Sequence, residues 1–385
     1  MVNWLNNLLN RKIAILASII LVTIIILSLF ELANQPSKPS NFYVGVEYAY
    51  GNQLSEVQAL VDKVKTYTNL FVIGSVELTF DEVALTEACD YINDAELNLI
   101  VLFTGLDQYN YNITQWMVET QQKYGEKFLG IYRYDEPGGR TLEQGIDPIV
   151  NKTQVSIEAT YNDVANIYFA NLHIFPNYYL GFSPKVFTAD FGLYWFDYQA
   201  GYTSIFAEFV GNESRERHVA LCRGAANAFG KDWGVIVTWK YNQWPYLESG
   251  DELYTDLTLA YKTGAKYAII FSYPQTDKYG TLGEDHFEAL ERFWTTINND
   301  LASLGRSTAK VAYVVPAGYG FGFRTPNDTI WGLFPPDELS AKIFDDVNFL
   351  LGKYDATLDI LYDGSQANSV LKNYDEVYFW NQTIS

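Results

Sequence analysis

Asp135 and Glu136 stand side by side at the end of an apolar run, in Gly130-Ile131-Tyr132-Arg133-Tyr134-Asp135-Glu136-Pro137-Gly138-Gly139. A partly buried carboxyl group beside a second negative charge holds its proton towards neutral pH, which suits a general acid. On a surface hairpin the same letters make only a turn. Further acids close other apolar runs: Glu47, Glu77 and Glu208, with Asp190 and Asp197 in a fifth. Aromatic residues crowd the same places, namely Tyr48, Tyr134, Tyr194, Trp195, Trp239 and Trp244. Lys240 follows Trp239, and Trp331 lies on a later loop. Aromatic planes stack on apolar sugar faces and carboxylates accept from sugar hydroxyls, so carbohydrate is the ligand these residue types suit. A plainer account has Asp and Glu at loop starts capping the next helix. Aromatics at 16% of the chain would also furnish any rim with several.

The elements that carry these residues separate the two accounts. Runs with strand character cover 42–50, 70–78, 98–105, 128–137, 185–196, 203–211, 233–242 and 266–274, with helical apolar spacing in most of the intervals. The fifth and sixth runs are separated by a short loop, so the helix there is expected to be missing or reduced. Eight strands alternating with helices predict an α/β chain whose residues 42–303 form a closed (β/α)8 TIM barrel. An open doubly wound sheet would show G-x-G-x-x-G in its first turn, and residues 43–53 do not. Alternation along the fourth strand points Leu129 and Ile131 to the helix layer, and Gly130, Tyr132, Tyr134 and Glu136 to the lumen. Asp135 is expected on the rim, with Pro137 and the glycines ending the strand and turning the chain outward. The carboxyl ends of barrel strands form the active face, so Glu136 points into the mouth.

The tail, 309–385, restarts the alternation with strands in 310–316, 357–363 and 375–380 and a helix in 339–354. This predicts a small C-terminal Rossmann- or flavodoxin-like α/β module docked on the barrel. Gly318 to Phe323, with glycine at alternate positions, reads as a flexible aromatic loop and not a nucleotide fingerprint, because no helix starts after it. Trp331 is expected to lean over the barrel mouth from the same loop.

Residues 13–30 carry no charge, and at about 1.5 Å per residue they span roughly 27 Å, close to the hydrocarbon core of a bilayer. A cleaved signal would be shorter and followed by a small-x-small site, which 30–40 lacks. Arg11 and Lys12 precede the span, so residues 1–12 are expected in the cytoplasm, 13–30 as a single-pass anchor, 31–41 as a linker and the remainder outside the cell. The sequons at Asn112, Asn151, Asn212, Asn327 and Asn381 are compatible with glycosylation there.

A formal charge of −20 with no basic run in the body of the chain argues against a nucleic-acid partner. The cysteines, Cys89 and Cys222, fall in helices on opposite sides of the barrel, too far apart to bridge. His173, His218 and His286 form no H-E-x-x-H pattern, and there is no P-loop or G-x-S-x-G elbow. No metal or cofactor is expected.

At Tyr134-Asp135-Glu136-Pro137 the sequence resembles the clan of glycoside hydrolase barrels that places Asn-Glu, often followed by Pro, at the end of the fourth strand. Asp135 stands where that clan has Asn. The layout of 42–385 is similar to the clan's larger β-galactosidases, in which a glutamine-amidotransferase-like module follows the barrel. The resemblance implies that Glu136 is the general acid/base. It departs at the seventh strand, where the clan has a nucleophilic Glu and this chain has Trp239 and Lys240, the nearest acid being Glu248 on a loop. Glu208 is the alternative partner, and the carboxyl spacing would tell retention, about 5 to 5.5 Å, from inversion, about 6.5 to 9.5 Å. Lys240 would pair with a carboxylate or an acidic sugar. The expectation is a membrane-anchored extracellular glycoside hydrolase acting on an oligo- or polysaccharide. Its rivals are a catalytically inactive surface protein that binds glycans or envelope partners, and a lyase or transferase with Lys240 or Tyr134 as base.

Overall fold

The computed structural model describes residues 42–105, 108–299 and 304–384. The expected anchor, 13–30, lies outside them, and among the described residues no helix is long and apolar enough to cross a membrane. The strands β1 (Tyr43–Tyr48), β2 (Leu70–Ile73), β3 (Asn98–Phe103), β4 (Phe128–Arg133), β5 (Val186–Asp190), β6 (Ser204–Phe209), β7 (Asp232–Val237) and β8 (Tyr267–Phe271) are all parallel. They close into a barrel through the pairing of β8 with β1, Tyr43 opposite Tyr267. Their continuous apolar character follows from burial on both faces.

One face of each strand fills the lumen. Leu70, Val72, Ile100, Leu102, Leu129, Phe187, Phe206, Ile236 and Ile269 pack there around Tyr132 and Tyr267. Phe187 and Phe206 stack at 5.3 Å, with Tyr267 edge-on to Phe187. Leu129 was expected in the helix layer and lies in the lumen instead. The β3–β4 register shifts between Leu99 and Ile100, and Gly130 adopts φ +139°. That irregularity inserts one residue into the alternation, so Leu129 and Tyr132 share a face. A side chain at Gly130 would meet the Lys185 carbonyl at 2.2 Å.

Two helices on the active face depart from the sequence reading. Pro137, Gly138 and Gly139 do not turn the chain outward as a loop but open helix α1 (Pro137–Glu143), with proline in its first turn where no N–H is needed. After β5 the chain forms helix α2 (Tyr194–Ala200), so Trp195 and Asp197 belong to a short crossover helix and not to the fifth strand.

The C-terminal residues form a three-stranded parallel sheet in the order β10-β9-β11, from β9 (Val311–Val315), β10 (Leu358–Tyr362) and β11 (Glu376–Phe379). It packs on the barrel helix α3 (Arg215–Phe229). Arg223 on that helix pairs with Asp359 at 2.7 Å, both fully enclosed, and Gly224 lets the Ile360 carbonyl approach. Trp195 and Phe196 meet Tyr362 across the same junction. The loop between β9 and the following helix is a packed element: Tyr319, Phe321, Phe323 and Trp331 are all buried. Trp331 packs on Tyr168 and Phe196 and donates its indole N–H to the Gly318 carbonyl at 2.8 Å. It does not lean over the mouth.

Candidate functional site

At the carboxyl ends of the barrel strands lies a cavity of about 360 Å³. Its wall holds four carboxyls, Glu47, Asp135, Glu136 and Glu208, together with Tyr132, Trp239 and Tyr273. Glu47 is the penultimate residue of β1 and Glu208 occupies the same place in β6, so strand alternation turns both into the lumen. Glu47 lies against Gly74, where a side chain would approach its Oε1 to 1.9 Å, so only glycine leaves room for that carboxyl.

Asp135 and Glu136 enter the cavity by a different device. Tyr134 has φ +65° and Glu136 φ +52°, left-handed conformations that non-glycine residues adopt at a cost of about 1 to 3 kcal/mol each. The resulting turn lets consecutive side chains face one space, so Asp135 joins the site and does not stay on the rim. Two contacts hold the turn. Glu136 N–H donates to the Ala189 carbonyl at 3.0 Å. Asp190 accepts from Gly138 N–H at 2.6 Å and Gly139 N–H at 2.8 Å, at the positive end of α1. The Tyr132 hydroxyl donates to Asp135.

The electrostatics are those of crowded acids. Burial, and next the charge of Asp135, push Glu47 up to about 8. Its carboxyl oxygens have no hydrogen-bond partner among the described residues, and the residue is 3% exposed. Enclosure by protein raises Asp135 although one side faces the water of the cavity, with Tyr132 and Arg140 pulling the other way. Glu136 and Glu208 lie within hydrogen-bonding reach of each other, so the charge on one bears on the titration of the other. Burial followed by the charge of Asp135 raises Glu136 to about 7, while deeper burial and the charge of Glu136 raise Glu208 well above the carboxylate range. Trp239 and Tyr273 stack with centroids 6.1 Å apart and form the aromatic wall, the indole N–H bonded to the Tyr273 carbonyl at 2.5 Å.

Of the residues the sequence singled out, Glu47, Asp135, Glu136, Glu208 and Trp239 meet in this cavity, and the others do not line it. Tyr48 points into the helix layer and donates to Glu56 at 2.9 Å. Glu77 is four residues past the end of β2, exposed, and bonded to Asn52. Tyr134 turns to the Asp147 carbonyl and packs on Phe175. Asp190 is spent on α1, and Asp197 is buried against Tyr168. Trp195 and Trp331 are core residues, and Trp244 is 75% exposed and lines no described cavity. Lys240 forms an ion pair with Glu252 in a separate pocket of about 390 Å³, where Arg215 bridges Glu248 and Asp256. The alternation that placed Glu47 also identifies Tyr132. Tyr273 carried no such signal, because it lies on the loop two residues beyond β8.

Cys89 and Cys222 are both free and buried. Among the described residues no group of three or more His, Cys, Asp or Glu side chains is arranged to hold a metal. Of the five sequon asparagines, Asn112, Asn212, Asn327 and Asn381 are exposed and Asn151 is half-buried. Asn112 also caps the helix it precedes, accepting from Gln115 N–H.

No protein-family model matches the chain, and no curated protein does. Solved structures match in fold. A GH5_18 variant from Bifidobacterium longum subsp. longum, crystallised with Manβ1-4GlcNAc, is 10% identical, with 89% of this chain and 97% of that one covered and a TM-score of 0.51. The endo-β-1,4-mannanase from Thermotoga petrophila is 9% identical over 71% of this chain and 82% of its own, with a TM-score of 0.44. The chain is thus a (β/α)8 barrel of the architecture seen in glycoside hydrolases.

Proposed function

We propose that this barrel hydrolyses glycosidic bonds in an oligo- or polysaccharide, with Glu136 and Glu208 as the reacting pair. The observation that carries the reading is the contact of these two carboxyls inside a cavity walled by Trp239 and Tyr273. Two carboxyls that share a proton titrate as a unit, one acid and one carboxylate near neutral pH, which is the pair of states that glycoside hydrolysis needs.

Burial sets which is which. Glu208 is 4% exposed and Glu136 only half-buried, so the proton rests on Glu208 and Glu136 ionises first. This reverses the assignment implied by the fourth-strand resemblance. Glu208 gives its proton to the glycosidic oxygen as the bond from that oxygen to the anomeric carbon breaks, and a Glu136 oxygen bonds to the same carbon. Water then loses a proton to Glu208 and adds to the anomeric carbon, and Glu136 leaves as carboxylate. Carboxyls in contact lie closer than a retaining pair, at about 5 to 5.5 Å, and much closer than an inverting pair, at about 6.5 to 9.5 Å. A bound sugar therefore has to part them, and the smaller separation, with retention of anomeric configuration, is the outcome proposed.

Screening of oligosaccharides by reducing-sugar release, followed by NMR of the first-formed anomer, tests both claims. Glu136→Gln and Glu208→Gln should each lower kcat at least a thousandfold on unactivated substrates. A Glu208→Gln variant as fast as wild type ends this mechanism. The lack of a Glu at the end of β7, where Thr238 and Trp239 stand, favours one alternative: sugar binding without turnover. Tight binding with no product from any glycan would select it.

The reading extends to residues 13–30 as an anchor that holds the barrel outside the cell, with the sequons glycosylated there and residues 309–385 as an accessory amidotransferase-like module. Protease shaving of intact cells tests the orientation: digestion of the barrel supports it, and protection removes it.

A further inference from the structure

We infer that the sugar this cavity takes carries a free amino group, and that Glu47 together with Asp135 recognises its ammonium. The inference rests on the glycoside-hydrolase reading of the same cavity and adds the substrate's charge to it. The first support is the state of Glu47. It is 3% exposed, lines the cavity, and makes no side-chain hydrogen bond among the described residues. A buried carboxyl without a partner is costly, and the partner that compensates best is a cation that also donates hydrogen bonds. Its placement is built in, since Gly74 leaves the space its carboxyl fills.

The second support is the sign of the whole wall. Four acids line the cavity and no Lys, Arg or His does so. Lys240 is paired with Glu252 in the other pocket, and Arg140, over the Tyr134 ring at 5.6 Å, only partly offsets Asp135 and Glu136 and does not line the cavity. These acids hold their protons above the usual carboxylate range in the empty cavity, so a cation, which stabilises their ionised forms, is favoured there over a uronate, which does not. A neutral hydroxyl would bond to Glu47 without meeting its charge. The Tyr132 hydroxyl donates to Asp135, which keeps that carboxyl an acceptor directed at the ligand. The stacked Trp239 and Tyr273 supply the apolar face that a pyranose ring needs and a linear polyamine does not.

Binding is measured by calorimetry at pH 6 on the full chain carrying Glu136→Gln, which prevents turnover. Three β-1,4 tetrasaccharides serve as probes: fully de-N-acetylated glucosamine, its N-acetylated form and the glucose oligomer, with spermidine as a cation lacking a ring. The glucosamine tetramer should bind about tenfold or more tightly than the other two sugars, as one charge-assisted bond implies. Adding Glu47→Gln should bring that ratio close to one, and Asp135→Asn should lower it. Glu47 is protonated in the free protein at this pH and gives up that proton as the ammonium binds, which Glu47→Gln cannot do. A cooperative melting transition at or above the wild-type temperature confirms that the variant folds. Equal affinities for the three sugars overturn the inference, as does a preference that survives Glu47→Gln, or spermidine binding as tightly as the glucosamine tetramer. Turnover by the wild-type chain is read separately. Cleavage of all three sugars alike removes the amino-sugar inference and leaves the hydrolase reading. Selective binding without cleavage does the reverse.

Discussion

Replacing Glu47 by Gln should make the protein more stable at neutral pH. Glu47 is raised from 4.5 to about 8 in the folded state, chiefly by burial. Between those values the folded chain holds a proton that the unfolded chain releases, so this group's contribution to stability falls as pH rises from 4.5. At pH 7 the window spans two and a half units, and at about 1.4 kcal/mol per unit the penalty is about 3 kcal/mol. Glutamine cannot ionise in either state, and Glu47 has no side-chain hydrogen bond for the substitution to break. Urea unfolding of wild type and Glu47→Gln should therefore show near-equal stability at pH 4.5 and a gap of about 3 kcal/mol in favour of the variant at pH 7. Equal stability at both pH values, or a variant weaker at pH 7, would mean that Glu47 has a compensating partner in the folded protein. The reasoning behind its role as an unpartnered recognition group would then fail.

Other perturbations separate the site from its scaffold. With Glu136 titrating at about 7 within the pair, kcat/KM should rise with pH through that region as Glu136 ionises and stay up while Glu208 keeps its proton; a rate that only declines from pH 5 upward contradicts the assignment. Asp190→Asn presents an NH2 group where two helix N–H groups need acceptors, so the turn at Glu136 should loosen and kcat fall about tenfold to a hundredfold with KM little changed; a change in KM alone refutes the positioning role. Trp331→Ala should cost about 3 to 5 kcal/mol of stability without altering sugar affinity, as thermal unfolding and calorimetry would check. Arg223→Ala leaves the buried Asp359 charge with only the neutral donors Asn227 and Tyr374 and should cost about 3 to 5 kcal/mol; adding Asp359→Asn, which removes the charge, should recover part of that loss in the same unfolding assay.

The sequence carried the barrel because the strands are apolar on both faces and most intervals have helical spacing, signals that need no knowledge of neighbours. It carried Glu47 and Glu208 because a residue near the carboxyl end of a barrel strand faces the mouth by parity alone, whereas Trp239 has the parity of the helix-layer residue Val237 and reaches the cavity from the loop after β7. Tyr48 was expected among the rim aromatics, but the same parity places it elsewhere: adjacent to Glu47, it has to face the helices once Glu47 faces the lumen. Long-range partners were not legible. Asp190 has the type and position of a site acid, yet it is engaged by the N–H groups of Gly138 and Gly139, some fifty residues earlier in the chain. Trp331 has the type of a sugar platform, yet the C-terminal junction encloses it.

Asp135 shows why a parity argument stops at the end of a strand. Tyr134 and Glu136 take left-handed conformations that extended backbone does not have, so side chains that would alternate converge on one space. That geometry is held from outside the motif, by the Ala189 carbonyl on Glu136 and by Asp190 at the start of α1. Tyr134-Asp135-Glu136-Pro137 therefore specifies chemistry only in combination with β5, where Asp190 does not face the ligand cavity but holds the turn that brings the acids together. Strain of about 1 to 3 kcal/mol at each of two residues persists because an enclosed carboxylate with three backbone donors, from Gly138, Gly139 and Phe191, over-determines the turn. Were those donors unsatisfied, the chain would relax to an ordinary strand end, and Asp135 would point away from Glu136, Glu208 and Glu47.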